Sequence, residues 1–453
     1  MLIRPALVLA SLLLATSAVA EPLVYRLTDP AQKYAIELRF AQAPATSYDP
    51  APATVSLRDK ASGELLQTLV SPEGPYATLK TDGSLSTGQA PMYGDQSVLF
   101  FDDFNFDGEQ DLALRNGSEG GYGGPSYDVY LFDPATRRLQ LSQAFSDLTR
   151  DGQLGMFETD GQRRRLHTWT KSGCCWHQDA SWEVHNNLPV MVEERTEELY
   201  NPPEQEAFMP RDYFNVSVRT LVNGQWQEHS HLEGPYSEAP EVFSGTLNGK
   251  LPVELWWQRQ GEVLVGEVRY PRGGSGKPIR VVGGDYETGS VTLVESGANG
   301  EVSGTWYVHT EDDAQGNRGA VWTHGGKRFN GSLRRVSVEV APDKLGSVAD
   351  HQRSGRYLMR DDATQRRAEL TVKIIPGPNP HDLGSADLQL RLEQPGAVPL
   401  VMQQRVPLTA SNLAIAWDPQ ARRGYRLQFL RGALLVSGNH EGRDIAGTYV
   451  KQP

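Results

Sequence analysis

The chain has 453 residues, with 44 Lys and Arg against 56 Asp and Glu (net charge -12) and 38% apolar residues. That length predicts two or three domains, each large enough to bury its own core, and the acidic balance argues against a nucleic-acid partner, since phosphate binding needs clustered Lys and Arg. The run Arg163, Arg164, Arg165 is too short to change this and reads as a solvated strand or turn. The 45 Gly and 29 Pro, together with 9 Trp, 17 Tyr and 13 Phe, favour short strands joined by turns, so the expected fold class is all-β.

Residues 1–20, MLIRPALVLASLLLATSAVA, carry one positive charge at Arg4, an apolar run from Leu7 to Ala15 and the small-residue end Ala18-Val19-Ala20. This pattern predicts a cleavable signal peptide with cleavage after Ala20, hence export to the periplasm. No later stretch approaches the ~18 apolar residues of a membrane-spanning helix, so no membrane span is expected.

Alternating strands are predicted over residues 21–200, among them Tyr34–Phe40, Ala53–Leu57 and Tyr127–Phe132. Asp133-Pro134-Ala135-Thr136 reads as the turn of a hairpin that resumes at Arg137. A boundary is expected at Asn201-Pro202-Pro203, followed by connecting strands over 201–240 with a turn at Asn223-Gly224. Two small β-barrel or sandwich modules are expected over 241–340 and 341–453. Each contains a similar stretch, VSGTWY at 302–307 and IAGTYV at 445–450, the weak signature of a duplication.

The segment with the clearest chemistry is DFNFDGEQD, residues 103–111. Asp103, Asn105, Asp107 and Asp111 fall at positions 1, 3, 5 and 9 of a loop whose sixth residue is Gly108, and the Glu109 carbonyl at position 7 adds a further oxygen. Alternate side-chain oxygens converge when such a backbone curls, which predicts a Ca²⁺ site. Position 12 is Leu114, where an EF-hand has a bidentate Glu, and the flanks read as strands, so Asp111 is expected to supply the closing carboxylate. The ion is expected to be structural.

Next comes NGSEGGYGGPS, residues 116–126, a glycine-rich loop centred on Tyr122. It has no Lys and no following helix, so it is not a phosphate loop. It reads as a flexible, protruding loop whose aromatic tip suits insertion into a partner's cleft. The adjacent Cys174 and Cys175 are expected to form a vicinal disulfide in an oxidising compartment. The alternatives are pairing between chains or two separate thiols.

The succession FDDFNFDGEQDLAL, GSEGGYGGPSYDVYLFDPATRRL and SGCCWHQDASWEV with PVMVEE resembles a family of calcium-binding periplasmic inhibitors. Relatives in plant-pathogenic bacteria protect against peptidoglycan-cleaving effectors of a bacteria-killing type IV secretion system. The resemblance covers about residues 90–195. It implies a propeller-like N-terminal β domain, Asp103, Asn105, Asp107 and Asp111 as calcium ligands, and Tyr122 and Tyr127 on an inhibitory face towards a lysozyme-like hydrolase.

No enzyme is expected: the sequence has no Gly-x-Ser-x-Gly elbow and no His-Glu-x-x-His helix. His229, His231 and Glu233 share a strand face but read as surface decoration rather than a zinc site. The alternative to an inhibitor is a calcium-stabilised envelope module that binds glycan or protein through Trp256, Trp257 and Trp306.

Overall fold

The structure is a computed structural model. It describes residues 23–29, 31–40, 51–72, 98–201, 212–234, 237–273, 276–287, 289–341, 350–361, 364–378 and 382–453. The expected leader at 1–20 and the Pro202-Pro203 break lie outside the described residues. No described helix is long and apolar enough to cross a membrane. The chain divides into two compact units, Met1–Glu194 and Arg195–Pro453.

The first unit is made of antiparallel meanders. Strands β1 (Leu23–Thr28), β2 (Tyr34–Phe40), β3 (Ala53–Asp59) and β4 (Leu65–Ser71) form one sheet in chain order. Strands β5 (Leu99–Asp102), β6 (Asp111–Gly117), β7 (Ser126–Asp133) and β8 (Arg138–Leu141) form a second. After the short helix α1 (Gln143–Ser146), strands β9 (Glu158–Asp160), β10 (Arg165–Ser172), β11 (Trp176–His185) and β12 (Leu188–Leu199) pair as successive neighbours, and β12 carries the chain into the second unit.

The middle sheet is covered on both faces, so β6, DLALRNG, is buried at nearly every position rather than at alternate ones, its charged Asp111 and Arg115 included. Leu112, Leu114 and Tyr130 join a core with Ile36, Leu38, Val55 and Leu57 of the first sheet. On the opposite face Ala113, Tyr127, Val129 and Leu131 join Phe104, Phe145, Phe157 and Leu166. The expected hairpin after Phe132 is present: Asp133 pairs with Arg138, and its carboxylate accepts the Ala135 N–H at 2.9 Å and the Thr136 hydroxyl at 2.7 Å. These meanders make the unit all-β, as expected, and no propeller is identified among the described residues.

The second unit opens with the hairpin of β13 (Phe214–Val222) and β14 (Gln225–Glu233). Its turn residues Asn223 and Gly224 both lie at positive φ, 52° and 76°, the backbone of a two-residue hairpin turn. Strands β15 (Glu241–Leu247), β16 (Leu251–Gln260), β17 (Val263–Arg269), β18 (Ile279–Glu287), β19 (Ser290–Ser296), β20 (Val302–Asp312), β21 (Asn317–His324) and β22 (Lys327–Arg335) form a closed up-and-down barrel, sealed by β15 against β22.

A second barrel follows, built from β23 (Gly355–Asp361), β24 (Arg366–Ile375), β25 (Ser385–Glu393), β26 (Leu400–Ala410), β27 (Leu413–Asp418), β28 (Arg423–Leu430), β29 (Ala433–His440) and β31 (Gly447–Lys451), with β30 (Arg443–Asp444) appended to β29. Pairing of β28 with β29 closes its ring. Each barrel uses its Gly-Thr-aromatic stretch to fill its own core. Trp306 and Tyr449 are both fully buried, and each polar atom is satisfied: the Trp306 indole donates to Glu295 at 2.7 Å and the Tyr449 hydroxyl to the Ile445 carbonyl at 2.9 Å. Trp257 is also core, stacked on Phe243.

Candidate functional site

The acidic loop joins β5 to β6 at one end of the middle sheet. Its backbone curls through Phe106 (φ 61°) and Gly108 (φ 93°), left-handed positions of which the second suits a residue without Cβ. The curl turns successive amides onto the side chains expected to bind metal. Asp103 accepts from the N–H groups of Asp107 at 2.9 Å and Gly108 at 2.8 Å, Asn105 accepts from Asp107 at 3.2 Å, and Asp107 accepts from Glu109 at 2.8 Å. Asp111 is fully buried and spans two elements, taking the Phe104 N–H at 2.9 Å and the Phe132 N–H at 2.8 Å. Burial pushes its carboxyl up to about 7, helped by the charge of Asp107 and opposed by the two amides.

Three neighbouring turns brace this loop. Lys33 pairs with Glu109 at 3.0 Å, and Gln110 donates to Asp29 at 2.7 Å from the β1–β2 side. Arg164 donates to the Phe106 carbonyl at 2.7 Å and lies over its ring, while Asn105 donates to Asn187 at 3.1 Å. The cations Lys33 and Arg164 soften the repulsion among the loop carboxylates. Within the Arg163–Arg165 run Arg164 thus braces the acidic loop, while Arg165 donates to Glu183 at 3.2 Å on the next strand, roles that composition alone does not reveal.

Among the described residues no group of three or more His, Cys, Asp or Glu side chains is gathered as a metal cluster. The donor chemistry of the loop nonetheless suits a hard cation. Asp103, Asn105 and Asp107 offer only oxygen, each carboxylate has lone pairs beyond those given to amides, and a backbone carbonyl follows at Glu109.

The glycine-rich loop leaves the opposite end of β6. Seven strand residues separate the two loops, and at ~3.3 Å per residue their ends lie roughly 20 Å apart. An ion at 103–111 therefore does not touch Tyr122. The loop is framed rather than slack. Gly120 and Gly124 exchange backbone hydrogen bonds with loop partners, Gly121 donates to the Gln153 carbonyl at 2.7 Å, and a Cβ on Gly121 would run into the Gly152 carbonyl. Beneath it, Asp128 accepts from Asn116 at 2.7 Å and Arg150 at 3.0 Å, and Arg150 also holds Glu119 at 2.7 Å.

Tyr122 stands on this frame with φ 57° and 69% exposure, unusual for a large aromatic residue. Its ring and hydroxyl lean on the β10–β11 hairpin. Lys171 sits 5.3 Å from the ring centroid, and the Gly173 N–H donates to the phenol oxygen. Gly173, Cys174 and Cys175 form the turn of that hairpin, with Ser172 opposite Trp176, and the two cysteines are joined as a vicinal disulfide with Cα atoms 3.8 Å apart. Cys174 is exposed; Cys175, Trp176 and His177 are half-buried.

Tyr127 is not on this surface. It lies in β7 with 0% exposure, edge-to-face with Phe100, because the residues on its side of the strand face the core. Of the tryptophans considered for a glycan, Trp257 and Trp306 are core and Trp256 is half-buried, its indole 3.4 Å from Glu267. His231 contacts Glu233 at 3.0 Å. Both histidines line a cleft of about 740 Å³ in the second unit, together with Tyr200, Asn215, Asp382 and Trp417. The sequence reading missed this cleft because its walls come from segments nearly 200 residues apart in the chain.

No family model matches the sequence, and none of the curated proteins matches it. Among solved structures the chain is similar to a Xanthomonas protein described as related to a type IV secretion system. The two are 24% identical, over 46% of this chain and 98% of that one, with a TM-score of 0.32. It is also similar to the K499G mutant of NanB sialidase from Streptococcus pneumoniae, at 9% identity over 95% of this chain and 68% of that one, with a TM-score of 0.13.

Proposed function

We propose that the protein is an exported, calcium-binding inhibitor of immunity type, whose first unit occludes a peptidoglycan hydrolase with the Tyr122 loop. The observation that carries this reading is the posture of Tyr122. A large aromatic side chain is displayed in a left-handed conformation on a braced glycine frame, where it offers contact area and a phenol at low entropic cost. The motif resemblance of residues 90–195 supplies the partner class. Asp103, Asn105, Asp107, Asp111 and the Glu109 carbonyl would hold Ca²⁺, which supplies positive charge to the loop and locks the β5–β6 end of the sheet. The inhibitory contact itself belongs to the opposite end of β6.

The test is inhibition of lysozyme-type enzymes on peptidoglycan by the purified protein, with calcium and with EDTA. Inhibition that falls on chelation, and that deletion of Gly120–Gly124 abolishes while the circular dichroism of the fold persists, supports the reading. Inhibition unchanged by that deletion removes the loop from the mechanism.

The cleft of the second unit favours a second reading, a calcium-stabilised envelope module that binds glycan. Partly exposed Trp417 and Tyr200 beside Asn215, Glu228 and Asp382 combine ring faces with hydrogen-bonding groups, the pairing that sugars require. Retention of the protein on peptidoglycan that Trp417→Ala weakens and Tyr122→Ala leaves unchanged would favour this reading.

A further inference from the structure

We propose that the Cys174–Cys175 disulfide is a reversible thiol-exchange site whose state sets how firmly Tyr122 is held. Three observations converge on one turn. Cys174 is exposed, so a small thiolate reaches it. The bridge links two of the three residues of the β10–β11 turn. The third, Gly173, has φ 65° and donates its N–H to the Tyr122 hydroxyl, while Lys171, just before the turn, lies against the Tyr122 ring. The hairpin tip that carries the disulfide is thus also the surface against which the exposed tyrosine rests.

The reaction needs a dithiol reductant. One of its thiolates attacks Cys174 Sγ, the bond between the two cysteine sulfurs breaks, and Cys175 leaves as a thiolate that takes up a proton. The second reductant thiolate then attacks the mixed disulfide and releases Cys174 as a thiol. The protein gains two electrons and two protons, and the dithiol becomes a cyclic disulfide. Opening the ring restores backbone freedom to Cys174 and Cys175, so the Gly173 N–H is no longer fixed in direction and its bond to Tyr122 weakens. The Gly120–Gly124 frame stays tied to Gln153 but loses its outer contact. In the oxidised protein Tyr122 is preorganised; in the reduced protein it is loose.

The effect on a partner rests on the Tyr122 reading above, with weaker binding expected after reduction. The decisive experiment needs no partner, so failure of the hydrolase reading and failure of this inference remain distinguishable. The full-length protein is treated with dithiothreitol under native conditions, thiols are counted by iodoacetamide labelling and mass spectrometry, and amide hydrogen exchange is followed. Two alkylated thiols per chain are expected, with exchange at Gly173 and across 118–125 rising up to about tenfold, the loss of roughly one hydrogen bond, and no change in the β15–β22 barrel. The double variant Cys174→Ser, Cys175→Ser should show the same exchange without reductant. Tyr122→Phe, which removes the acceptor, should raise exchange at Gly173 with the disulfide intact. The inference is overturned if dithiothreitol leaves the folded protein unreduced, if 118–125 exchange equally in the oxidised, reduced and double-serine proteins, or if Tyr122→Phe leaves Gly173 unaffected.

Discussion

Tyr122 and Tyr127 are five positions apart, both are implied by the family resemblance to face a partner, and the fold gives them opposite fates. Tyr122 sits on a tight turn whose glycines pack against neighbouring backbone, so its side chain has nowhere to go but outward. Tyr127 is in a strand of a sheet covered on both sides, and period-two geometry places it with Val129 and Leu131 against Phe100 and Phe157. Residue type alone does not separate display from packing. The element that carries the residue, and what covers that element, do.

The comparison is broken most directly at the buried residue. Tyr127→Ala empties a fully buried aromatic site and should cost about 3–5 kcal/mol, read as a lower urea midpoint for the first unit; a cost below about 1 kcal/mol would mean that the β5–β8 sheet is not packed on both faces. Burial also holds the Tyr127 phenol well above its ordinary range, so its ultraviolet ionisation step should be absent up to the pH at which the protein unfolds.

The acidic loop contains the same division between inside and outside. Asp111 is buried and holds the amides of both Phe104 and Phe132, so Asp111→Ala should destabilise by about 2–4 kcal/mol at acid pH even without calcium, and by less as pH rises towards 7, where ionising the buried carboxyl costs the parent stability. Asp107 is exposed, and Asp107→Ala without calcium should stay within about 0.5 kcal/mol of the parent. The proposed calcium ion would separate them further. At about a hundred times its dissociation constant it should stabilise the parent by ~2.7 kcal/mol, and Asp107→Ala should lose that gain. Calorimetry with calcium and with EDTA measures both, and a calcium shift that survives Asp107→Ala would remove this residue from the ligand set.

Only part of this division was legible in the sequence. The strand Tyr127–Phe132 was readable, but Tyr130 and Phe132 are apolar as well as Tyr127, Val129 and Leu131, so its pattern does not say that Tyr127 is core, and the resemblance put it on the partner face. The Asp133 hairpin and the Asn223-Gly224 turn were readable because Asp side chains cap turns and Asn-Gly accepts positive φ, both local effects. Barrel closure was not readable, since nothing in Phe243 announces that it pairs with Arg335 across the whole module. Nor was the bracing of the acidic loop by Lys33, Arg164 and Asn187, which reach it from turns distant in sequence. Trp306 and Tyr449 show the limit of motif reading: the repeated Gly-Thr-aromatic was visible, but its use as a core plug depends on the closed barrel around it.

Substitutions of the displayed tyrosine are the most informative about function. Tyr122→Ala removes the Gly173 hydrogen bond and the Lys171 contact, each worth about 0.5–1 kcal/mol at an exposed site. Alanine occupies the same left-handed backbone at a similar cost, whereas Tyr122→Gly relieves that cost, about 1 kcal/mol, and offsets the lost contacts. The glycine variant should therefore unfold within about 1 kcal/mol of the parent, and the alanine variant about 1–2 kcal/mol below it. If Tyr122 is the anchor of an interface, both variants should bind the hydrolase at least about thirtyfold more weakly, the scale of a hot-spot residue, while both remain folded under the assay conditions. Equal loss of binding in the two variants assigns the effect to the side chain; retention by alanine and loss by glycine would assign it to the shape of the loop instead.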